Sequence, residues 1–272
     1  MLLRGLSGSV YVALIVLSLL FGHNYNLFSV LMGVFAVLGI LELEKLLSAK
    51  SPISPGERIA DVIVTAVSFI CTIDYSLFGF VLLILSLYIP VRMIIAVNVH
   101  HENAVRSFLY SLLAIVYVAV PLIIISCAAI FSYEFVLVTF VIIWLNDTGA
   151  YLTGRAFGRT KLCERLSPKK TWEGFFGGLI LSIIAGYFSS YFFSMIHTTG
   201  IYMAIYAAIV SVLGTFGDLF ESMIKRTLGV KDSGNLIPGH GGILDRIDSL
   251  LAVSPAIPFA LIFIASLSLI FL

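Results

Sequence analysis

Apolar runs long enough to cross a bilayer recur along the whole of this 272-residue chain. A membrane-spanning helix needs about 20 mainly apolar residues. Only 11% of the residues are charged and 60% are hydrophobic, whereas a soluble domain carries about 25% charged residues. The pattern predicts an all-α polytopic membrane protein, and it excludes a soluble domain, a coiled coil, a disordered chain and a disulfide scaffold.

Hydrophobic runs bounded by polar residues predict nine transmembrane helices. The predicted spans cover about residues 6–22, 27–43, 59–73, 75–91, 107–131, 133–151, 174–196, 200–219 and 250–272. All 16 lysines and arginines fall before the first span or in the connections after spans two, four, six and eight. Basic residues favour the cytoplasmic side. We therefore expect the N-terminus in the cytoplasm and the C-terminus outside.

Polar residues are concentrated in two of the predicted cytoplasmic loops, 152–173 and 218–249. The connections on the opposite side are short and hold few titratable groups. We divide the chain into an N-terminal membrane scaffold, residues 1–131, and a C-terminal region, residues 132–272, that holds the functional loops. The expected location is the cytoplasmic (inner) membrane of the cell, with the site facing the cytoplasm.

A carboxylate lies near the end of the sixth predicted span, in the sequence Asn146-Asp147. If the helix begins near Tyr133, Asp147 is about 14 residues along it, or roughly 21 Å into a core of about 30 Å. A carboxylate at that depth is costly unless it faces a cavity, a metal or a cation, so Asp147 is a functional candidate. Alternatively, the helix is slightly shifted and Asp147 lies at the membrane interface.

Two adjacent lysines, Lys169 and Lys170, follow Ser167-Pro168 and precede a predicted helix start. Lysines at a helix N-terminus oppose the helix dipole, which is reasonable if an anion binds there. They are equally consistent with anchoring on the cytoplasmic face and attraction to anionic lipids. The spacing alone leaves both interpretations open.

The loop at 218–249 carries the densest group of polar residues. Asp218, Glu221, Ser222 and Lys225 are spaced to form one polar stripe on a helix that leaves the membrane. A Gly-rich turn at 238–242 follows, and its exposed backbone N–H groups suit phosphate oxygens.

Asp245 and Asp248 come next, and they share one face of the last helix. Carboxylates from two helices could therefore converge with Asp147 on a hard cation that also contacts phosphate. Each of these features alone has a simpler explanation as a cap, a turn or a surface ion pair. Their density in a chain with few charges favours a functional site.

These residues resemble the phosphatidate cytidylyltransferases, also called CDP-diacylglycerol synthases. The resemblance is carried by Asn146-Asp147-Thr-Gly-Ala-Tyr151, by Ser167-Pro-Lys169-Lys170-Thr171-Trp-Glu173-Gly174, and by Ser222-Met-Ile-Lys225-Arg226, Lys231-Asp232, Pro238-Gly-His240-Gly-Gly and Asp245-Arg246-Ile-Asp248. It covers roughly the C-terminal half. Residues 1 to about 130 carry no matching motif.

The resemblance implies transfer of the cytidylyl group from CTP to phosphatidic acid with Mg²⁺ as cofactor. Whether a second metal ion or a monovalent cation also takes part stays open. The implied metal ligands are Asp218, Asp245 and Asp248, with Asp147 as a further one. The implied catalytic residues are these three aspartates together with Lys225 and Arg226. The implied substrate-binding residues are Asn146, Lys169, Lys170, Ser222, Lys231, His240, Gly241, Gly242 and Arg246.

The chemistry of the residues agrees with this reaction. The phosphomonoester of the lipid is already an anionic nucleophile, so no general base is required. The difficulty is to bring two strongly negative groups together, and bound cations with Lys and Arg side chains achieve this by positioning and charge neutralisation. The expected partners are CTP, phosphatidic acid and membrane lipids, with no nucleic acid.

Two alternatives follow from the sequence. A transporter or channel would require charged residues near the middle of spans, whereas all charges except Asp147 lie at predicted span ends or in loops. A CTP-dependent transferase could also act on an ether or isoprenoid lipid, and an alcohol acceptor would need a base such as His240. Gly174 and Gly178 permit a homodimer as well as packing within one chain.

Overall fold

The computed structural model describes residues 2–21, 26–73, 77–98, 104–192, 199–234, 236 and 241–270. Its helices are α1 Leu2–Leu20, α2 Leu27–Ser48, α3 Pro55–Ile73, α4 Phe78–Asn98, α5 Ala104–Ala114, α6 Val120–Phe131, α7 Tyr133–Phe157, α8 Trp172–Phe192, α9 Gly200–Thr227, α10 Leu244–Val253 and α11 Ala256–Ile270. A π-helical turn, Ile115–Ala119, joins α5 to α6. The predicted all-α class is confirmed.

Within the described ranges, six helical segments are long and apolar enough to cross a membrane. They are α2, α4, the continuous α5–α6 segment, α7, α8 and α9. The pair α10 and α11, bent by 41°, makes a seventh if it is one span. This confirms a multi-pass membrane protein. The two other predicted spans coincide with α1, whose apolar part is short, and with α3, which carries Glu57, Arg58 and Asp61.

Local sequence signals account for several helix starts. At α3, Ser54 Oγ accepts from Glu57 N at 3.3 Å and Glu57 Oε2 accepts from Ser54 N at 2.9 Å, which is a capping box, with Pro55 at the first helical position. At α7, Ser132 Oγ accepts from Phe135 N at 3.2 Å. These side chains pair backbone N–H groups that have no partner inside the helix.

A short hairpin precedes α8. Strand β1, Lys161–Cys163, pairs antiparallel with β2, Ser167–Thr171. Lys169 and Lys170 therefore lie in a strand that ends where α8 begins, just before the helix start that the sequence predicts. Thr171 Oγ1 accepts from Gly174 N at 3.1 Å and caps α8.

The chain divides into two compact units. The first comprises Met1–Cys127 and Thr227–Arg246, and the second comprises Ala128–Arg226 and Ile247–Leu272. The first unit thus combines the N-terminal helices with the segment Thr227–Arg246, and the division into residues 1–131 and 132–272 stays a prediction.

The first unit contains a buried ionic cluster. Arg92 is fully buried, and it contacts Glu57 at 3.3 Å and Asp61 at 3.5 Å. Ser107 Oγ donates to Glu57 at 2.7 Å, and the Tyr88 hydroxyl donates to Asp61. Glu57 lies in the first turn of α3, whereas Asp61 and Arg92 lie further inside α3 and α4 and not at helix ends. They are tolerated in apolar surroundings because they pair with one another.

Candidate active site

Helices α7 and α8 of the second unit approach each other closely, because glycines line their contact. A Cβ on Gly178 would lie 2.7 Å from the Asn146 carbonyl oxygen, and one on Gly174 would lie 2.8 Å from the Ala150 carbonyl oxygen. A Cβ on Gly149 would lie 3.1 Å from Gly178 Cα. Packing within one chain therefore accounts for Gly174 and Gly178.

This close approach forms one wall of a pocket of about 260 Å³ in the second unit. Five of the predicted site residues line it: Asn146, Asp147, Lys169, Lys170 and Asp218. Tyr151, Leu162 and Phe175 add apolar surface. The pocket thus combines two carboxylates with two ammonium groups, a combination that suits a ligand with several phosphates and a cation.

An ion pair links the hairpin to α9 inside this pocket. Lys170 Nζ lies 2.6 Å from Asp218 Oδ2, and the two side chains are 27% and 35% exposed. Ser222 Oγ donates to Asp218 Oδ1 at 3.3 Å, and Lys170 Nζ donates to the Thr215 carbonyl oxygen at 3.5 Å. Because both side chains are partly exposed, a charged ligand can reach them and replace one partner of the ion pair.

Asn146 is buried and holds α7 against α9. Its Oδ1 accepts from Ser211 Oγ at 2.6 Å, and its Nδ2 donates to Thr215 Oγ1 at 3.5 Å. Asp147, the next residue, is exposed and lines the pocket. The fixed amide of Asn146 therefore sets the position from which the Asp147 carboxylate reaches the pocket.

A third carboxylate comes from α10. A Cβ on Gly217 would lie 2.8 Å from the Asp248 carbonyl oxygen, so α9 and α10 pack with little space between them at this point. Asp218 and Asp147 are close enough to Asp248 for their negative charges to act on it. Asp248 Oδ1 accepts from Ser249 N at 2.6 Å. The second unit thereby gathers three of the four aspartates predicted as metal ligands.

Lys225 lies one turn beyond Ser222 on α9 and is buried. Its Nζ is 3.3 Å from Glu221 Oε1, and Glu221 is also buried. Glu221 belongs to the polar stripe of α9, and the family resemblance gives it no role. Its position beside Asp248 adds a fourth carboxylate to the same region.

The donor chemistry of these groups suits a hard divalent cation, since Asp147, Asp218 and Asp248 offer carboxylate oxygens. As the side chains are placed, no group of three or more His, Cys, Asp or Glu residues among those described has the geometry to hold a metal ion. The residues fit Mg²⁺ by type and charge, and Lys170 now occupies one oxygen of Asp218.

The remaining predicted residues are distributed as follows. Arg226, at the end of α9 in the second unit, is exposed, and so is Lys231 in the first unit. Arg246 is partly buried, and its carbonyl oxygen accepts from the Tyr11 hydroxyl at 3.0 Å. His240 lies outside the described residues.

Asp245 also belongs to the first unit, where it organises the loop before α10. Its Oδ2 accepts from Ser233 N at 3.0 Å, from Ser233 Oγ at 3.0 Å and from Gly242 N at 2.9 Å. Gly241 has φ +83, a conformation that favours glycine. A second carboxylate, Glu42 on α2, accepts hydrogen bonds from the same loop, and sequence reasoning missed it entirely.

Together these features define a multi-pass helical membrane protein with a pocket in which carboxylates and lysines lie among apolar side chains. The model of the cytidylyltransferase family matches residues 2–267. The chain therefore belongs to the cytidylyltransferase family, which confirms the family predicted from the motifs.

Individual relatives support the same assignment. The chain is 46% identical over 129 residues to a phosphatidate cytidylyltransferase of Staphylococcus epidermidis, covering 47% of this chain and 49% of that protein. It is 47% identical over 129 residues to the protein of that name from Staphylococcus aureus, with the same coverage. The corresponding protein of Staphylococcus haemolyticus is 41% identical over 154 residues, 56% of this chain and 58% of that one. The chain thus spans about half the length of the curated relatives it matches.

Proposed function

We propose that this protein transfers the cytidylyl group of CTP to phosphatidic acid, giving CDP-diacylglycerol and pyrophosphate. The observation that carries the proposal is the pocket in which Lys169 and Lys170 lie with Asp147 and Asp218. Family membership and the names of the relatives support the choice of nucleotide and lipid. The reaction makes this chain an enzyme of phospholipid biosynthesis.

In the proposed reaction, an oxygen of the lipid phosphate attacks the α-phosphorus of CTP. A new P–O bond forms as the bond from the α-phosphorus to the bridging oxygen of the β-phosphate breaks, and pyrophosphate leaves with that electron pair. The nucleophile is already an anion, so no proton needs to be removed. Lys169 and Lys170 would contact the phosphates and offset the charge that develops on the leaving group.

Lys225 and Arg226 are proposed as further phosphate contacts near the end of α9. The buried pair with Glu221 holds the Lys225 ammonium in place, so it loses little freedom when a phosphate binds. Ser222, Lys231, His240, Gly241, Gly242 and Arg246 are proposed to bind substrate by resemblance.

We propose that Mg²⁺ is held by Asp218 and Asp248, with Asp147 and Asp245 as further ligands. When bound, it would supply charge neutralisation between the two anionic substrates and at the departing pyrophosphate. The carboxylates brought together in the second unit support the first three assignments. Asp245 is assigned by resemblance.

We also propose that all nine predicted spans cross the cytoplasmic membrane, with the N-terminus and the site on the cytoplasmic side. The distribution of the 16 basic residues supports this orientation. The placement suits both substrates, because CTP is dissolved in the cytoplasm and the lipid headgroup lies at the interface. A homodimer gains no support from Gly174 and Gly178, which contact α7 of the same chain.

The test is transfer of label from CTP labelled at the α-phosphate, using the purified protein in mixed micelles with Mg²⁺. Phosphatidic acid, diacylglycerol, an ether-linked phosphatidic acid and an isoprenoid alcohol would be compared as acceptors. The proposal predicts labelled lipid with phosphatidic acid, none with diacylglycerol, and loss of the product when EDTA removes the metal. Labelling of the alcohol alone would contradict it and favour a different acceptor.

A further inference from the structure

Glu42 lies inside α2, in the part of the chain that carries no family motif. Its side chain is buried, with 6% of its surface exposed. Both carboxylate oxygens nevertheless accept hydrogen bonds: Oε1 from Ile243 N at 3.0 Å, and Oε2 from Leu244 N at 3.1 Å and Ser233 Oγ at 3.2 Å. A buried carboxylate is stable only with such partners, so this contact is specific.

The two backbone donors belong to the start of α10, which begins at Leu244. The first N–H groups of a helix have no partner within the helix, and the helix dipole places partial positive charge at that end. A carboxylate at that end accepts hydrogen bonds from the free N–H groups and also offsets the partial positive charge. Glu42 thus caps α10 from a position about 200 residues earlier in the chain.

The loop before α10 is shaped around this carboxylate. A Cβ on Gly234 would lie 2.6 Å from Glu42 Oε1, and one on Gly242 would overlap Glu42 Oε2 and Ser233 Oγ. The two glycines allow the backbone to surround Glu42 at hydrogen-bonding distance.

Ser233 connects Glu42 to Asp245. Its Oγ lies 3.2 Å from Glu42 Oε2 and 3.0 Å from Asp245 Oδ2, and its backbone N donates to Asp245 Oδ2 at 3.0 Å. A serine hydroxyl has a single proton and donates to one carboxylate at a time. The backbone N–H groups hold both carboxylates in place, so Asp245 is fixed by the same network as Glu42.

We propose that Glu42 is a positioning residue, which holds the first turn of α10 and the Asp245 carboxylate in the conformation that catalysis requires. This inference rests on the proposed function. Glu42 acts through Asp245 and the loop, and it does not itself touch substrate. Helix α2, in the part of the chain without a family motif, would therefore do more than serve as a membrane scaffold.

The test is Glu42→Gln, which keeps the size of the side chain but replaces one acceptor oxygen by an amide donor. That donor would face backbone N–H groups. We expect kcat to fall about 10- to 100-fold, because small displacements of positioned groups are expensive in catalysis, and KM for CTP to change less than about threefold. The matched control is Glu44→Gln, a buried acid two residues further along α2. Glu44 lies beside Asp61, and no described loop residue donates to it.

Hydrogen exchange of the Ile243 and Leu244 amides gives a readout that does not depend on activity. We expect faster exchange in Glu42→Gln than in the unsubstituted protein or in Glu44→Gln. Normal kcat or unchanged exchange in Glu42→Gln would overturn the inference. If the unsubstituted protein transfers no cytidylyl group, the proposed function fails, and normal exchange in Glu42→Gln would then overturn the inference independently.

Ser233→Ala is the second variant, for use if Glu42→Gln does not fold. It removes the hydroxyl between the two carboxylates and leaves the backbone donors in place. We expect faster exchange at the same amides and a smaller fall in kcat. Amide exchange rates and a kcat equal to those of the unsubstituted protein would overturn the proposed network.

Discussion

The close contact of α7 and α8 yields a quantitative prediction for Gly178→Ala. The added Cβ would lie 2.7 Å from the Asn146 carbonyl oxygen and 2.8 Å from Asn146 Oδ1. The carbonyl is backbone, and Ser211 holds the side-chain oxygen at 2.6 Å, so neither can simply rotate away. Ordinary contact begins at 3.4 Å, so the helices must separate by about 0.7 Å.

Two opposing free energies set the size of the effect. Alanine is favoured over glycine in a helix interior by about 1 kcal/mol, whereas overpacking a filled contact costs about 1–3 kcal/mol. We therefore expect a net loss of up to roughly 2 kcal/mol in stability. Because Asn146 also lines the pocket, a shift of this size should lower turnover about 10- to 100-fold.

The assay is the initial rate of pyrophosphate release, together with thermal unfolding in detergent micelles. Gly79→Ala on α4 is the matched control, since nothing lies within 4 Å of its added Cβ. We expect the control to keep normal turnover and a normal or raised unfolding temperature. Normal turnover and stability in Gly178→Ala would refute the packing argument.

Two further predictions concern buried and pocket charges. Arg92→Leu should destabilise the protein by about 3–5 kcal/mol, because it leaves Glu57 and Asp61 buried without their cation. Thermal unfolding measures this loss, with the exposed Arg106→Leu as the control. A loss of stability no larger than that of Arg106→Leu would contradict the prediction. Lys170→Met should lower kcat/KM for CTP at least about 100-fold by removing a phosphate contact. The exposed Lys45→Met is the control. Equal kcat/KM values in the two variants would contradict the proposed role of Lys170.

The helical membrane class could be predicted from hydropathy, because backbone groups in lipid must be paired within their own segment. α7 and α9 begin at Tyr133 and Gly200, where the sixth and eighth predicted spans begin. Helix ends were predicted less well. α9 continues to Thr227, beyond the predicted end near residue 219, since polar residues end a hydrophobic run without ending the helix.

The hairpin at 161–171 could not be predicted in the same way. Its second strand, Ser167–Thr171, contains proline and two lysines and has little intrinsic preference for a strand. Antiparallel pairing with β1 holds it extended. The prediction that α8 starts shortly after Ser167-Pro168 was sound, because the turn signal and the cap at Thr171 are local.

The candidate site was visible in part from sequence. Asp147, Lys170 and Asp218 stand out because charges are rare in this chain, but the contact between Lys170 and Asp218 joins segments 48 residues apart and has no local signal. Glu42 was missed for the same reason, since its partners lie 191 to 202 residues away. Local patterns identify candidate residues, and tertiary packing decides which of them meet.

The most direct measurement compares the unsubstituted protein with Asp248→Asn in the presence of CTP, phosphatidic acid and Mg²⁺. Asparagine keeps the size of the side chain and removes the charge, and Glu164→Gln in the exposed turn of the hairpin is the control. We predict that the unsubstituted protein and the control form pyrophosphate and lipid-linked CMP together. Asp248→Asn should stay folded but lose at least about two orders of magnitude in rate. Near-normal turnover in Asp248→Asn would contradict the proposed metal site, and absence of product from the unsubstituted, folded protein would contradict the proposed reaction.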